Sequence, residues 1–539
     1  MRKLIPVIIG LAVALVSCQP KSTRVTDTIK ADSQTAIVQT ESGTVAGYID
    51  NGIFNFKGIP YAKAERFMPP QKPDPWEGVR SSRSYGPVCP INVASMILND
   101  EMEFAQQHDF GYMNESCQNL NVWTPGINDG LKRPVMVWLH GGGYTAGSSR
   151  ELPTYDGLNL SRTTDVVVVS INHRLNVLGF LDLSGIDEKY KYSANTGMLD
   201  IVAALEWVNK NITGFGGDPG NITIFGQSGG GGKVGTLMHM PSAKGLFHRS
   251  IMQSGAAGGF QQKEFTQKVG LAIMEELGLK PKEVGMLKDI PHEELLAAGN
   301  AAVQKVAATM PGPGGLMRML GWAPSLDGEV IPYQIGTPEG NEIAKNVPLM
   351  IGTNKTEFGA GMFNPEIAKA GDEEIMKMLQ ERYGDQTDAF IETMKKIYPE
   401  DKKLADLLDI DVMFRPGTIN FQNIKSGIEG GAPVYSYLFS WHSPILDGKL
   451  KAIHCMEIAF VFNNIARNRE QSGDGPEAYA LADKMSRAWA QFARTGDPNV
   501  EGVPQWPAYK EADGATMFFN NTCEVRYSYD IELMKFVRE

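Results

Sequence analysis

A single recurring unit constrains the fold more than any other feature of this chain. Short apolar runs rich in β-branched residues, "PVMVWL" (Pro134 to Leu139), "DVVVVSI" (Asp165 to Ile171), "NITIFG" (Asn221 to Gly226), "VPLMIG" (Val347 to Gly352) and "PVYSYLF" (Pro433 to Phe439), are separated by longer stretches. One such stretch, "NTGMLDIVAALEWVNKN", repeats its apolar Met198, Val202, Leu205 and Val208 at helical spacing. Near-continuous apolar strands alternating with helices predict an α/β fold with a large, mostly parallel central sheet covered by helices on both faces. A length of 539 residues, 42% of them hydrophobic, suffices to bury one large domain of this kind. "ATMPGPGGLMRML" (Ala308 to Leu320) and "NREQSGDGPEAY" (Asn468 to Tyr479) read as loop excursions from it, and "DKMSRAWAQFARTGDPN" as a helix through Arg494, stopped by Gly496 and Pro498.

The net charge of −11 leaves no bulk basic surface to neutralise a phosphate backbone, which argues against nucleic acid as a partner. At the N-terminus, two cations and an apolar run from Leu4 to Val16 form a signal-peptide pattern too short for a comfortable membrane span. "LVSC" (Leu15 to Cys18) resembles a bacterial lipobox, which implies a signal peptide over 1–17, lipidation at Cys18 and an exported lipoprotein, periplasmic or at the cell surface. The polar stretch that follows predicts a flexible tether over 18–36, leaving 37–539 as the folded domain. The remaining cysteines, Cys89, Cys117, Cys455 and Cys523, are too dispersed for a zinc cluster, and no metal or organic cofactor is expected.

"TIFGQSGGGGKV" (Thr223 to Val234) admits two readings. A phosphate-binding loop requires glycine, four residues, then Gly-Lys and a hydroxyl residue. Aligned on Gly232 and Lys233, the chain has Gln227 in place of the first glycine and Val234 in place of the hydroxyl. The pattern Gly-x-Ser-x-Gly is met in full by Gly226, Ser228 and Gly230 directly after a strand, which predicts a nucleophile elbow with Ser228 at its tip. "LHGGGYTAGSS" (Leu139 to Ser149), also following a strand, supplies Gly142 and Gly143, whose N–H groups with that of Gly229 would form an oxyanion hole.

The serine needs a base and the base an acid, in the chain order Ser, acid, His. His239 and His248 lie close to the elbow, and His292 falls in a charged helical stretch. His442 and His454 both follow "PVYSYLF", and the longer loop to His454 better allows a ring to reach over the sheet edge. Glu357, in "LMIGTNKTEFG", follows another strand; Asp200 and Asp218 precede the serine, and Asp327 reads as a turn residue. Ser228, Glu357 and His454 are therefore the expected triad, on loops past the carboxyl ends of three strands.

These motifs together resemble the type-B carboxylesterases, the α/β-hydrolase family that includes carboxylesterases, cholinesterases and bacterial para-nitrobenzyl esterases. "FGGDPGNITIFGQSGG" matches the family's serine signature, "ESCQNLNVWTP" (Glu115 to Pro125) resembles its second, and "FKGIPYA", "NHRLNVLGFL", "IMQSG", "PSLDGEVIP", "IGTNKTE" and "HCMEIAFVF" extend the likeness. The resemblance implies the same triad, a Cys89–Cys117 disulfide and hydrolysis of small or medium carboxylic esters through an acyl-enzyme. An amidase or lactonase on the same triad, or a non-catalytic binding module of the same fold, is the alternative.

The chain departs from the family at Gly229, commonly alanine, at Lys233, usually a small residue, and at Cys455, usually glycine. Cholinesterases hold a quaternary ammonium against a tryptophan lying between the first two cysteines. The interval from Cys89 to Cys117 has none, which argues against cholinesterase activity, although Phe110 or Tyr112 offers a weaker face.

Overall fold

The computed structural model describes residues 28–93, 99–256, 259–309, 321–359, 367, 369–399, 401, 403–529 and 531–536. The signal peptide and Cys18 lie outside them, as does most of the 308–320 loop. Among the described residues, fifteen strands form two sheets. Twelve build the large sheet: β1 (Ile29–Lys30), β4 (Tyr48–Asp50), β5 (Ile53–Pro60), β7 (Asn119–Thr124), β8 (Arg133–Leu139), β9 (Val167–Ile171), β10 (Gly217–Gln227), β11 (Arg249–Gln253), β12 (Leu349–Asn354), β13 (Val434–Phe439), β14 (Thr516–Phe519) and β15 (Glu524–Arg526). Three others, β2 (Ile37–Thr40), β3 (Gly43–Ala46) and β6 (Val79–Ser81), form a small separate sheet.

The large sheet runs β1-β4-β5-β7-β9-β8-β10-β11-β12-β13-β14-β15. All pairings from β9 through β14 are parallel, and the flanking ones are antiparallel. The five apolar runs read from the sequence are thus β8, β9, β10, β12 and β13, all within the parallel centre.

Period-two alternation explains why this sheet must be covered twice. Along β8, Val135, Val137 and Leu139 enter one core, while Met136 and Trp138 enter another. The helix Thr196–Asn211 packs Ile201, Leu205 and Val208 into the first core. The helix Pro476–Thr495 packs Met485, Trp489 and Phe492 into the second. Its end agrees with the expectation, since Gly496 caps it in a left-handed conformation at φ 84°. A third core, in which Leu379 and Phe390 meet Leu438 and Phe518, seats the helical excursion Asp372–Ile397 against the β13–β14 edge.

Some segments differ from expectation. Residues 28–36, assigned to the tether, include β1, which pairs antiparallel with β4, and Ala36 is buried. The loop expected over 468–479 contains a helical turn, Arg469–Ser472, and the start of the Pro476 helix. Strand β10 begins at Gly217, before the apolar run. "GDPGN" is poor in strand formers, and its pairing with β8 is broken between Gly217 and Ile222.

Candidate active site

The parallel strands β10, β11 and β12 lie side by side, and each ends in a residue with a positive φ. Ser228 follows β10 at φ 57°, Ser254 follows β11 at φ 47°, and Glu357 lies three residues past β12 at φ 39°. Non-glycine residues held in this region typically cost about 1–3 kcal/mol each and cluster at functional sites. The strain at Ser228 is the elbow itself: the chain turns from β10 into the helix Gly229–Leu237 at one residue (φ 57°, ψ −126°). The Ser228 N–H bonds to the Gln253 carbonyl at 2.8 Å, tying the elbow to the neighbouring strand.

His454 reaches Glu357 by two routes. The backbone N–H of His454 donates to the Glu357 carbonyl at 2.9 Å, within a short parallel bridge between Glu357 and Ile453. The imidazole Nδ1 lies 2.5 Å from Glu357 Oε2. Glu357 Oε1 accepts the Ser254 hydroxyl at 2.5 Å and the Asn354 N–H at 2.7 Å. Burial pushes the Glu357 carboxyl pKa up to about 8, against the lowering pull of the two donors on Oε1. The Nδ1–Oε2 contact engages Nδ1, which leaves Nε2 as the nitrogen to accept a proton. Burial holds the imidazole pKa down to about 4, against the opposing pull of Glu457 and Asp411, so the ring is neutral at pH 7. Phe358 and Phe414 pack on the ring at 4.5 and 5.1 Å between centroids, the latter nearly parallel at 6°. Gln227 Nε2 lies 3.3 and 3.4 Å from the two ring nitrogens, which brings the residue next to Ser228 against the imidazole.

The loop expected to carry oxyanion donors is arranged carbonyl by carbonyl. Lys233 Nζ donates to the His140 carbonyl at 2.9 Å, His140 Nδ1 lies 3.0 Å from the Gly141 carbonyl, and the Gly142 carbonyl accepts from Thr145 and Ala146 N–H at 3.3 and 3.0 Å. A trans peptide sets C=O and the following N–H on opposite sides, so fixing the Gly141 and Gly142 carbonyls also aims the Gly142 and Gly143 N–H groups, while the His140 carbonyl anchors the peptide before them. Among the described residues, no hydrogen bond takes the N–H of Gly142, Gly143 or Gly229. Gly142 and Gly143 adopt φ 79° and 64°, where a side chain would be strained.

The glycines of the elbow helix have a steric origin. A Cβ on Gly229 would collide with the Gly143 backbone, and one on Gly230 with the Leu139 carbonyl. On Gly231 it would come within 2.9 Å of the Gln253 carbonyl and Gly255 Cα. The helix is wedged between the loops after β8 and β11, so Gly229 stands where a methyl group does not fit. Cys455 sits at φ 70°, a conformation suited to the glycine that the family commonly has there, and its thiol points to Gln227 Oε1 at 3.2 Å.

Other histidines and acids are used elsewhere. The His442 pKa is lowered by burial and by Lys355, and the ring shows no bond to Glu357. His239 Nδ1 lies 2.8 Å from the Gly235 carbonyl, His248 accepts from the Ile222 N–H, and His292 pairs with Glu293. Asp327 accepts the N–H groups of Glu329, Val330 and Ile331, the turn role expected of it. Asp200 pairs with buried Arg174, and Asp218 closes a turn at Gly220.

Cys89 and Cys117, the expected disulfide partners, are both buried. They are close enough that a hydrogen bond to Cys89, together with burial, raises the Cys117 pKa. Ser254, Gln227, Phe358 and Phe414 were not singled out from sequence. Ser254 lies in "IMQSG", one of the family-like stretches, and the "SG" that ends it repeats the Ser-Gly of the elbow.

Known proteins resemble this chain over nearly all of its described length. The model of the carboxylesterase family matches residues 34–536. The para-nitrobenzyl esterase of Bacillus subtilis is 34% identical over 491 residues, covering 90% of this chain and 95% of that protein. Carboxylesterase 1E of Rattus norvegicus is 33% identical, covering 94% and 92%. Among solved structures, an esterase from Clostridium hathewayi that hydrolyses aliphatic aromatic polyesters superposes with a TM-score of 0.83 at 38% identity, covering 95% of this chain and 99% of that one. A thermophilic para-nitrobenzyl esterase superposes with a TM-score of 0.75 at 33% identity, covering 93% and 99%. With a family match across nearly the whole described chain and relatives above 30% identity over most of their own length, the chain belongs to the carboxylesterase family and is a carboxylic ester hydrolase.

Proposed function

We propose that this hydrolase acts through an acyl-enzyme on Ser228, with His454 as general base, Glu357 as orienting acid, and the Gly142, Gly143 and Gly229 N–H groups as oxyanion donors. The observation that carries this reading is the 2.5 Å Nδ1–Oε2 contact between a neutral His454 and a Glu357 whose other oxygen is already engaged. His454 Nε2 takes the Ser228 hydroxyl proton as the oxygen attacks the ester carbonyl. The imidazolium that forms is stabilised by Glu357, and the tetrahedral oxyanion by the three N–H groups. The imidazolium then protonates the departing alcohol. Water, deprotonated by the same nitrogen, attacks the acyl-enzyme to release the acid and free the serine.

Small and medium acyl esters are the proposed substrates. The likeness to the Clostridium hathewayi enzyme extends the chemistry worth testing to aliphatic aromatic polyesters. A panel of p-nitrophenyl esters of increasing acyl length, beside matched anilides and a lactone, tests this assignment. Turnover of the esters well above the anilides is expected, whereas anilides or the lactone turned over as well as the esters would replace it with the amidase or lactonase reading. The same assay carries a pH prediction. The base works only when deprotonated, so kcat/KM falls as pH drops through the His454 pKa. Burial has moved that pKa down to about 4, so the acid limb is expected well below the ordinary imidazole value of 6.5. A limb at or above 6.5 would contradict the buried, neutral ring.

The lipidated N-terminus at Cys18 and an exported, membrane-anchored location are part of the same proposal, supported by the pattern "LVSC" after an apolar run. Among the described residues, no helix is long and apolar enough to cross a membrane. Mass spectrometry of the detergent-extracted mature protein should find an acylated cysteine at residue 18. A soluble product cleaved elsewhere would refute it.

A further inference from the structure

Lys233 is a lysine with no exposed surface, one turn into a helix of glycines, and the ester chemistry above assigns it no task. The helix presses its Gly230 face against the Leu139 and His140 carbonyls so closely that a methyl group there would collide. Lys233 lies three residues further along, on the same side of the helix. Its ammonium is delivered to the His140 carbonyl at 2.9 Å, the first of the three carbonyls that orient the oxyanion loop. The groups facing Lys233 come from several elements. His140 stacks on His173 at 5.1 Å, both with pKa values held low by burial and both neutral. The Tyr144 ring centroid is 5.9 Å from Nζ. Glu151, buried and engaged by the Tyr155 hydroxyl and the Ser148 N–H, is the acid whose charge favours the ammonium. A lysine taken this far out of water is costly unless its charge is used. Here one charge-assisted bond holds the loop on which two of the three proposed oxyanion donors sit.

We propose that Lys233 is the positioning residue of the oxyanion hole: by holding the His140 carbonyl, its buried ammonium anchors the His140–Gly141 peptide, the start of the loop whose next two peptides present the Gly142 and Gly143 N–H groups to the anion formed on the substrate. This rests on the assignment of those glycines as oxyanion donors. Lys233 touches no substrate and acts through the loop, so its removal alters the tetrahedral state more than the bound ester. Burial brings its pKa down to about 7, which ties the strength of the bond to pH. A charge-assisted hydrogen bond is roughly twice as strong as a neutral one, so the hold on the loop weakens as Lys233 loses its proton.

The test compares wild type, Lys233→Met and Lys233→Gln on p-nitrophenyl butyrate. Inhibition by a trifluoromethyl ketone, whose serine adduct carries the oxyanion, is measured alongside. For Lys233→Met, kcat is expected to fall about 10- to 100-fold, less than complete loss of one donor costs in other enzymes. KM should stay within about two-fold, and the ketone should weaken in parallel with kcat. Lys233→Gln, which keeps an N–H donor, should recover much of the loss. The wild-type kcat should decline several-fold between pH 7 and 10, and that decline should be absent from Lys233→Gln. Variants that keep wild-type kcat and ketone affinity and lose only thermal stability overturn the proposal. If neither variant folds, a wild-type kcat that is flat from pH 7 to 10 overturns it alone, and the decline supports it. An inactive wild type would instead sink the ester-hydrolase mechanism itself, so the two failures are distinguishable.

Discussion

Ser228→Ala is expected to lower kcat/KM on p-nitrophenyl butyrate by a factor on the order of 10⁴ to 10⁶, with the thermal midpoint close to wild type. The size follows from the site's construction. The Ser228 hydroxyl is the nucleophile that the strained elbow presents, and His454, buried and flanked by Phe358 and Phe414, is the base proposed to activate it. Stability should hold because the backbone bonds at the turn, from Ser228 N–H to Gln253 and from Gly232 N–H to Ser228, do not involve the side chain. Alanine keeps the φ 57° strain and loses only the oxygen. His454→Ala should cost about as much, and the double variant little more than either alone, since the two act as one unit. Activity of Ser228→Ala within ten-fold of wild type would exclude the acyl-enzyme. An additive loss in the double variant would mean that His454 serves some step other than serine activation.

The parallel centre of the sheet is legible in the sequence because buried strands have no polar face to interrupt them. β8, β9, β12 and β13 read as unbroken apolar runs. The antiparallel flank is not legible in the same way. β1 is two exposed residues, and even within the parallel centre β10 begins in a segment of Gly, Asp, Pro and Asn, poor in strand formers, that pairs with β8 only at Gly217 before Ile222. At the site, Ser228, Glu357 and His454 stand out because their types, order and flanking strands are local features of the chain. The parts that only the fold reveals are those whose meaning is a distance. Ser254 is an ordinary serine until β11 places it beside Glu357, and Phe414 an ordinary aromatic until it stacks on His454. The glycines from Gly229 to Gly231 look like a weak helix start in sequence, yet each is required by a backbone that the helix cannot otherwise approach. The disulfide implied by family likeness is a covalent state, not a placement. The fold brings Cys89 and Cys117 together.

Glu357→Gln is expected to reduce kcat by about 10⁴, the size of an acid-to-amide change at the corresponding place in a serine protease, while leaving KM nearly unchanged. The amide is close to the carboxylate in shape, so packing around it should survive. What changes is the proton inventory at Oε1 and Oε2. Glu357 receives hydrogens from Ser254, from the Asn354 N–H and from His454 Nδ1. Glutamine can accept on only one side of its side chain and must donate on the other. If its oxygen stays with Ser254 and Asn354, its NH₂ faces Nδ1, and the imidazole must turn that nitrogen into an acceptor. The proton then sits on Nε2, the nitrogen that has to receive the serine hydroxyl proton. If the amide flips, His454 keeps its tautomer, but two donors are left facing an NH₂ in a buried site, at a cost of about 1–3 kcal/mol for each unpaired group. The two outcomes separate by adding Ser254→Ala to Glu357→Gln. Removing one of the competing donors relieves the flipped arrangement and should recover part of the lost kcat. If Glu357→Gln retains kcat within about ten-fold of wild type, Glu357 does not set the His454 tautomer, and the orienting acid would have to be sought in Glu457 or Asp411, the other buried carboxyls whose charge reaches the ring.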